Sequence, residues 1–239
     1  MIYETDGIVL HKTVFADNKA IFHLYTSGEG LRSYIVYTSF KKEKKSRWIA
    51  LQPLAVVHLK AERRRSGTLD YLKSAELAHV PCATAAFDCL KASVRMFLNE
   101  ILYKTLQAAP PDEALFRFVE ESLQAFDTQR FTPDFHLRFL WRLTRFFGCV
   151  PLDNRSGERP YFNVETAQCA TVKTDADATV SAWIFRMMEE PLFPETPEDT
   201  LPSANRSTML DCLLAYYARH VDASVANVRS HLVLKEVLR

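Results

Sequence analysis

The chain has 239 residues, of which 48% are hydrophobic and 25% are charged, and its formal net charge is only +1. This composition excludes a disordered chain, because it can fill the core of one large domain or two modest ones. Apolar runs fall short of the roughly 18 residues that cross a membrane, and the first residues lack the basic and apolar regions of a cleaved leader, so we expect a cytoplasmic protein.

The near-neutral total conceals two regions of opposite charge. Residues 1–80 contain 13 lysines and arginines against 8 acidic residues, whereas residues 81–239 contain 17 against 21. The first region therefore carries a net charge of +5 and the second a net charge of −4. We expect the positive charge to have a local role in the first region.

The first region has the hydrophobic pattern of β-strands. Apolar residues alternate with polar ones up to about residue 77, which is the signature of half-buried strands. Gly28-Glu29-Gly30 and Ser66-Gly67 are typical of tight turns. Five short, mostly antiparallel strands would expose sheet edges unless the sheet curls into a small closed or nearly closed barrel. The predicted strands cover 5–14, 19–27, 31–38, 53–61 and 67–77.

The pattern becomes helical after Pro81. A long amphipathic segment runs from Phe87 to the prolines at 110 and 111, which a helix does not cross easily. In the third helix, Thr132 is a candidate N-cap, Pro133 takes the first helical position and Gly148 follows the end. The other predicted helices cover 113–126, 175–189, 205–220 and 224–238.

A polar insert follows the third helix. Residues 151–173 are rich in turn-forming side chains and contain the short runs Tyr161-Phe162 and Thr171-Val172, which together could form a small hairpin flap. The composition of the insert assigns it no chemistry.

The five cysteines do not form a recognisable framework. Their number is odd and their spacing irregular, with no CxxC pair, which argues against disulfides and against a structural zinc clamp. We predict buried, inert thiols, because a free cysteine behaves as a small hydrophobic residue. The cysteines are Cys82, Cys89, Cys149, Cys169 and Cys212.

Basic residues concentrate at two turns of the predicted barrel. The stretch KKEKKSRW covers residues 41–48 between strands three and four, and Arg63-Arg64-Arg65 joins strands four and five. A lysine run is often solvated surface that prevents aggregation. If the barrel closes, however, both clusters could border one groove and attract phosphates through counterion release.

Aromatic residues accompany these cations, as in proteins that stack the bases of single strands. Trp48, Tyr34, Tyr37 and Phe40 are available, and core packing is the alternative role for each of them. The candidate DNA-binding residues are Arg32, Tyr34, Lys41, Lys42, Lys44, Lys45, Arg47, Trp48, Arg63, Arg64 and Arg65.

A second basic feature lies in the third helix. Arg138, Arg142 and Arg145 recur at i, i+4 and i+7 and therefore share one helical face. The stripe is either an exposed surface or a dock for phosphate or for an acidic peptide, since arginine binds carboxylates through two parallel hydrogen bonds.

Signatures of catalysis are scarce, so we predict a binding protein rather than an enzyme. The sequence has no Gly-rich phosphate loop, no GxSxG and no HExxH motif. A nuclease would need a metal-holding carboxylate pair, for which Asp6 with Asp17 and Asp175 with Asp177 are the nearest options. We predict no cofactor. The other alternative is a protein-interaction scaffold that uses the barrel without nucleic acid.

The order of motifs resembles the bacterial recombination mediator RecO family. The segments that carry the likeness in the first region are TDGIVLHKTVFADNKAIFHLYTSGEGLRSYIV, KKSRWIALQPLAVVHL and GTLDYLKSAEL. In the second region, FHLRFLWRLTRFFGCVPLDN looks like the family's glycine-containing helix end, and RSHLVLKEVL looks like its terminal helix. The likeness spans nearly the whole chain.

The resemblance implies an α+β fold, with an oligonucleotide-binding (OB-fold) barrel over residues 1–80 and a helical domain over 81–239. It implies a nucleoid-associated protein that binds single- and double-stranded DNA, anneals complementary strands and works with RecR to load the recombinase RecA. The RecA would be loaded onto strands covered by single-strand-binding protein. The acidic tail of that protein is the implied ligand of the helical domain, where Arg138, Arg142 and Arg145 are the candidate contacts.

The sequence departs from the resemblance in the insert. Many family members carry a four-cysteine zinc module there, whereas this chain has only Cys169 between Asn154 and Val172. We therefore expect no metal, and a flap held by hairpin pairing and packing.

Overall fold

Five β-strands at the N-terminal end of the chain form a closed barrel. The computed structural model describes residues 1–16, 19–37, 50–64, 69–78 and 88–238. The strands follow the order β1-β2-β3-β5-β4, and all neighbours are antiparallel except β3 and β5, which are parallel. Their bounds are β1 Ile2–Ala16, β2 Lys19–Thr26, β3 Gly30–Tyr37, β4 Val56–Glu62 and β5 Leu69–Leu77. The predicted five-stranded barrel is confirmed.

Alternation along the strands fills the barrel with apolar side chains. The interior contains Val9, Phe22, Leu24, Val57 and Leu59, each at most 2% exposed. Residues of this kind contribute about 1.5–3 kcal/mol each when they are fully buried. The barrel core is therefore a large part of what holds the first 80 residues together.

The turn between β2 and β3 requires a glycine at its end. Gly30 has a φ of +68°, and a Cβ atom there would lie 3.2 Å from the carbonyl oxygen of Ala109. A side chain would thus be strained in its backbone and crowded by its neighbour. The glycine lets the turn pack closely against the segment that follows the first helix.

Two helices complete the first of two compact units, Met1–Thr128. Helix α1 (Cys89–Thr105) begins at Asp88, whose side chain accepts hydrogen bonds from the backbone of Leu90 and Lys91. Helix α2 (Glu113–Thr128) is tied to α1 because the Lys91 ammonium donates to the carbonyl oxygen of Phe126 at 2.8 Å. By packing, these helices belong with the barrel, although the change in sequence pattern is at about residue 80.

The second unit, Gln129–Arg239, is helical with a short hairpin. Its interior contains the rings of Trp141, Phe162 and Tyr216, with centroids 5.2–6.0 Å apart. The hairpin occupies the insert and confirms the expected flap, although Thr171-Val172 lies beyond its second strand. The elements are α3 (Phe135–Leu143), β6 (Tyr161–Asn163), β7 (Gln168–Ala170), α4 (Ala178–Glu189), α5 (Ser203–His220) and α6 (Ser230–Val237).

Several helix boundaries differ from the prediction, and α3 ends at Leu143 rather than just before Gly148. Thr132 is buried and its carbonyl oxygen accepts from the backbone of Phe135, so it begins a turn, and Asp134 rather than Thr132 is the N-cap of α3. The predicted helix 224–238 is divided into a 3-10 turn, Ala223–Asn227, and α6. The side chain of Asp222 caps that turn by accepting from the backbone of Ser224.

The thiols have different surroundings. Cys169 and Cys212 are buried, and burial raises the pKa of Cys212 to about 12. Cys149 is partly buried, whereas Cys89 is exposed at the first turn of α1, so the prediction of a buried thiol is wrong there. Cys82 lies outside the described residues.

No helix in the described ranges is both long and apolar enough to span a bilayer.

Candidate nucleic-acid interface

The outer face of the barrel across β2, β3 and β5 presents one continuous surface. Lys19 pairs with Tyr37 and Ile21 pairs with Ile35 in the antiparallel register of β2 and β3. Ile35 in turn pairs with Tyr71 of β5. Because paired residues point to the same side of a sheet, these side chains share the outer face.

Two tyrosines stack on this face, of which Tyr37 is exposed and Tyr71 is partly buried. The ring centroids of Tyr37 and Tyr71 lie 6.3 Å apart at an interplanar angle of 19°. The Lys19 ammonium is 5.4 Å from the Tyr37 ring, and the Arg64 guanidinium is 5.4 Å from the Tyr71 ring. Tyr37 is 47% exposed. We call Lys19, Tyr37, Arg64 and Tyr71 the tyrosine platform; it combines flat rings with two cations, as base-stacking sites do.

A buried carboxylate fixes the chain beside the platform. Asp70 is 0% exposed and accepts from the hydroxyl of Tyr3 at 2.7 Å, from Arg32 Nη2 at 2.8 Å and from the backbone N–H of Arg64 at 3.1 Å. Burial alone would raise the pKa of the Asp70 carboxyl, but these hydrogen bonds and the Arg32 charge hold it below its usual value. Asp70 therefore stays ionised and orients the backbone that carries Arg64.

Two of the predicted DNA-binding arginines are partly neutralised. Arg32 pairs with Asp70 and also with Glu29 at 3.2 Å. The exposed Arg63 also pairs with Glu29, and its guanidinium lies 4.9 Å from the ring of Tyr3. Each charge is less available to a phosphate than the sequence suggests, although Arg63 remains at the surface.

Tyr34 lies inside the barrel. It is 0% exposed, its hydroxyl oxygen lies 3.4 Å from that of Tyr3, and burial raises the pKa of its phenol. A base therefore has no access to this ring. The register puts Tyr34 opposite the buried Phe22, so its predicted contact with DNA is wrong.

Several predicted contacts fall on residues that the structure leaves undescribed. They are Phe40, Lys41, Lys42, Lys44, Lys45, Arg47, Trp48 and Arg65. The structure instead adds two residues that the sequence reasoning missed, Lys19 and Tyr71. Lys19 could have been found from its alternation with Ile21, but Tyr71 becomes a neighbour of Tyr37 only through the parallel pairing of β3 and β5.

In the second unit, Arg138 is an interior residue. It is 0% exposed, and its Nε atom donates to Asp134 Oδ2 at 3.2 Å. Its Nη1 atom donates to Glu190 Oε2 at 3.3 Å, and its Nη2 atom donates to the carbonyl oxygen of Asp199. The arginine thus connects α3 to the proline-rich segment after α4, and it is closed to a partner's carboxylate.

Arg142 and Arg145 cap the end of α4. Arg142 Nε donates to the carbonyl oxygen of Met187 at 3.3 Å, and Arg145 Nη2 donates to that of Met188 at 2.7 Å. The last carbonyls of a helix lack intrahelical partners and carry partial negative charge, so cations are favourable there. Burial and the charges of Arg145 and Arg138 lower the pKa of Arg142. Of the predicted stripe, only Arg145 is exposed.

The carboxylates considered for catalysis have structural contacts. Asp6 Oδ1 lies 2.9 Å from His58 Nδ1, Asp177 caps α4 and Asp175 accepts from the backbone of Val164. Asp17 lies outside the described ranges. Within those ranges no group of three or more His, Cys, Asp or Glu side chains could hold a metal ion.

Comparison with known proteins assigns the chain to a family. The model described as Recombination protein O N terminal matches residues 1–81, and the model Recombination protein O C terminal matches residues 86–227. A protein named DNA repair protein RecO from Flavobacterium psychrophilum is 28% identical over 239 residues, which are 99% of each chain. Proteins of the same name from Phocaeicola vulgatus and Bacteroides fragilis are each 31% identical over 72% of each chain. The chain belongs to the RecO family of DNA repair proteins.

Proposed function

We propose that this protein binds DNA without reading its sequence, anneals complementary single strands and acts with RecR to load RecA onto strands covered by single-strand-binding protein. Membership of the RecO family supports the pathway. The observation that carries the DNA-binding part is the tyrosine platform, a stacked pair of rings, one exposed and one partly exposed, with a cation beside each. No catalytic step is needed, because base pairing supplies the free energy of annealing.

Stacking and charge account for the binding. Base stacking on an aromatic side chain contributes roughly 1–3 kcal/mol per base and tolerates any sequence. Lys19 and Arg64, at the two edges of the platform, attract the phosphates that flank a stacked base, and this contribution falls as salt rises. Affinity should therefore depend steeply on ionic strength and little on base composition.

Annealing requires that the repulsion between two phosphate backbones be reduced. We propose that the lysine cluster Lys41, Lys42, Lys44 and Lys45, together with Arg47 and the Arg63–Arg65 turn, neutralises part of this charge. Trp48 is the proposed additional stacking ring. These contacts rest on the composition of the two segments and on their places in the sequence between β3 and β4 and between β4 and β5.

We also propose a binding site in the second unit for the acidic tail of single-strand-binding protein. A groove of about 250 Å³ lies between α5 and α6, and Arg206 and Lys235 are among its lining residues. The two cations favour the acidic residues of a peptide, although Lys235 also pairs with Asp211 and Glu236 lines the same groove, and the leucines favour an apolar end. We prefer this groove to the stripe on α3, because Arg138 is closed to ligands. Its apolar lining residues are Leu210, Leu232, Leu234 and Leu238.

The platform is tested by fluorescence anisotropy with labelled oligothymidylate at low and physiological salt. Replacement of both rings, Tyr37→Ala with Tyr71→Ala, should weaken binding by about 5- to 100-fold. Tyr161→Ala, a tyrosine of the helical unit, and Lys60→Ala, a lysine paired with Glu4 at 2.9 Å, are the controls. Wild-type affinity in the double variant would remove the platform from the DNA interface.

The scaffold alternative is tested separately, by an annealing assay with and without single-strand-binding protein and RecR. A protein-interaction scaffold would neither shift the oligonucleotide at low salt nor accelerate annealing.

A titration with the acidic tail peptide compares the two candidate binding sites, the groove and the arginine stripe. Lys235→Glu should abolish binding if the groove is used, whereas Arg145→Glu should abolish it if the stripe is used.

A further inference from the structure

Three ring side chains form a second exposed cluster on the barrel. His11 stacks on Tyr103 of α1 with centroids 4.5 Å apart and an interplanar angle of 22°. His23 lies 5.7 Å from His11 and 5.8 Å from Tyr103 by ring centroids. We call these residues the ring triad. His11 is exposed, and the other two are partly exposed.

The ring triad is on the same outer face as the tyrosine platform. His23 pairs with His11 of β1 and with Ser33 of β3, and its Nδ1 atom is 2.9 Å from the Ser33 hydroxyl. Lys19 and His23 are four residues apart on β2, so they point to the same side at a distance of about 13 Å. The outer face therefore has ring groups beside the first residue of β2 and again four residues further along it.

Two observations distinguish the ring triad from ordinary packing between α1 and the barrel. The rings of His11 and Tyr103 retain access to solvent although they stack, whereas packing residues such as Phe97 and Ile101 of the same helix are 0% exposed. Within the described residues, neither the His11 ring nor the Tyr103 hydroxyl has a hydrogen-bond partner. These polar edges thus remain available to a ligand.

We propose that the ring triad is a second base-stacking position, so that one single strand lies along β2 from the tyrosine platform to the edge of α1. This inference rests on the proposed function, because it extends the same DNA interface. Single-stranded nucleic acid suits the ring triad, since the rings present faces for stacking and imidazole nitrogens for hydrogen bonds to bases or phosphates. The strand crosses Ile21 and Ile35 between the two positions.

Photo-crosslinking identifies the contact directly. Oligothymidylates with one 5-iododeoxyuridine at successive positions are bound to the full chain, irradiated and mapped by peptide mass spectrometry. Crosslinks to His11 or Tyr103 from one end of the strand, with crosslinks to Tyr37 or Tyr71 from the other end, are the expected result. Crosslinks at the tyrosine platform without any at the ring triad would overturn the proposal.

Affinity measured against oligonucleotide length is the second readout. His11→Ala with Tyr103→Ala should bind oligomers that cover only the tyrosine platform as the wild type does, but should bind longer ones about 5- to 100-fold more weakly. His11→Phe with Tyr103→Phe keeps the rings and should restore most of that loss. Circular dichroism verifies the fold, and Tyr161→Ala is the matched control. Equal affinity of the alanine variant at every length would contradict the second position, whereas failure of the wild type to bind any oligomer would contradict the proposed function.

Discussion

The Arg32 guanidinium and the Asp70 carboxylate form an ion pair of 2.8 Å at the end of the barrel, where Asp70 is fully buried and the Arg32 side chain is 17% exposed. The pair joins β3 to β5, the two strands that meet in parallel. The same carboxylate receives the backbone N–H of Arg64, so one buried charge connects the stability of the barrel to the position of a platform cation.

Asp70→Asn should therefore affect both stability and binding. The substitution removes the buried charge and leaves Arg32 with its longer contact to Glu29, and we expect a loss of about 3 kcal/mol in the free energy of unfolding. Urea denaturation measures this loss. DNA affinity should fall as well, because the single acceptor oxygen of asparagine cannot hold Tyr3, Arg32 and the backbone of Arg64 together. Addition of Arg32→Met should recover part of the stability without recovering the affinity; full additivity of the two substitutions would contradict the pairing.

The same carboxyl predicts an acid-sensitive component of stability. Its pKa is lowered in the folded state, whereas an unfolded aspartate titrates near about 3.9. Its contribution is complete above the unfolded pKa and is lost as the pH falls through the lowered folded pKa. Below about pH 4, the wild type should lose stability more steeply than Asp70→Asn, as measured by urea midpoints over a pH series.

His136 should cause a second pH dependence of stability, at higher pH than that of Asp70. Burial, together with the charge of Arg206, lowers its pKa to about 3. The unfolded state therefore binds a proton near pH 6.5 that the folded state does not, and stability falls as the pH drops from 6.5 toward 3. The slope from this residue reaches at most about 1.4 kcal/mol per pH unit. Thermal unfolding of His136→Gln across this range should show a shallower slope; an unchanged slope would mean that another group is responsible.

Arg138 should be essential for the helical unit rather than for a ligand. Arg138→Ala leaves Asp134 buried at 0% exposure without its partner, and we expect a loss of about 3–5 kcal/mol in the free energy of unfolding. Arg138→Lys should not restore it, since a lysine cannot reach Asp134, Glu190 and Asp199 together. Arg145→Ala, in which an exposed cap is lost, is the control and should cost about 1 kcal/mol or less.

Charge reversal of the lysine cluster tests the annealing mechanism. Glutamate at Lys41, Lys42, Lys44 and Lys45 should abolish annealing, because the segment would repel phosphates rather than attract them. Circular dichroism should show an unchanged fold. DNA affinity equal to that of the wild type would refute the role assigned to this segment.

The barrel could be predicted from the sequence, because the alternation of apolar and polar residues shows which side of a strand is buried. The tyrosine platform and the environment of Arg138 could not be predicted in this way. Tyr37 and Tyr71 are far apart in the chain and meet only through the β3–β5 pairing, which no local pattern indicates. Arg138 is a second example, because its acceptors at Glu190 and Asp199 are 52 and 61 residues away in the sequence. The regular arginine spacing on α3 therefore indicated an open surface, whereas Arg138 forms an interior ion pair.

Among the residues that the structure describes, three pairs join β3 to β5: Ser33 with Leu69, Tyr34 with Asp70 and Ile35 with Tyr71. This pairing is short, and the tyrosine platform crosses it, with Tyr37 on β3 and Tyr71 on β5. A polynucleotide lying across both rings would stabilise the β3–β5 pairing, since a ligand that binds only the closed barrel raises the stability of the barrel. Backbone amide hydrogens of β3 and β5 at this pairing should then exchange with solvent more slowly when single-stranded DNA is bound.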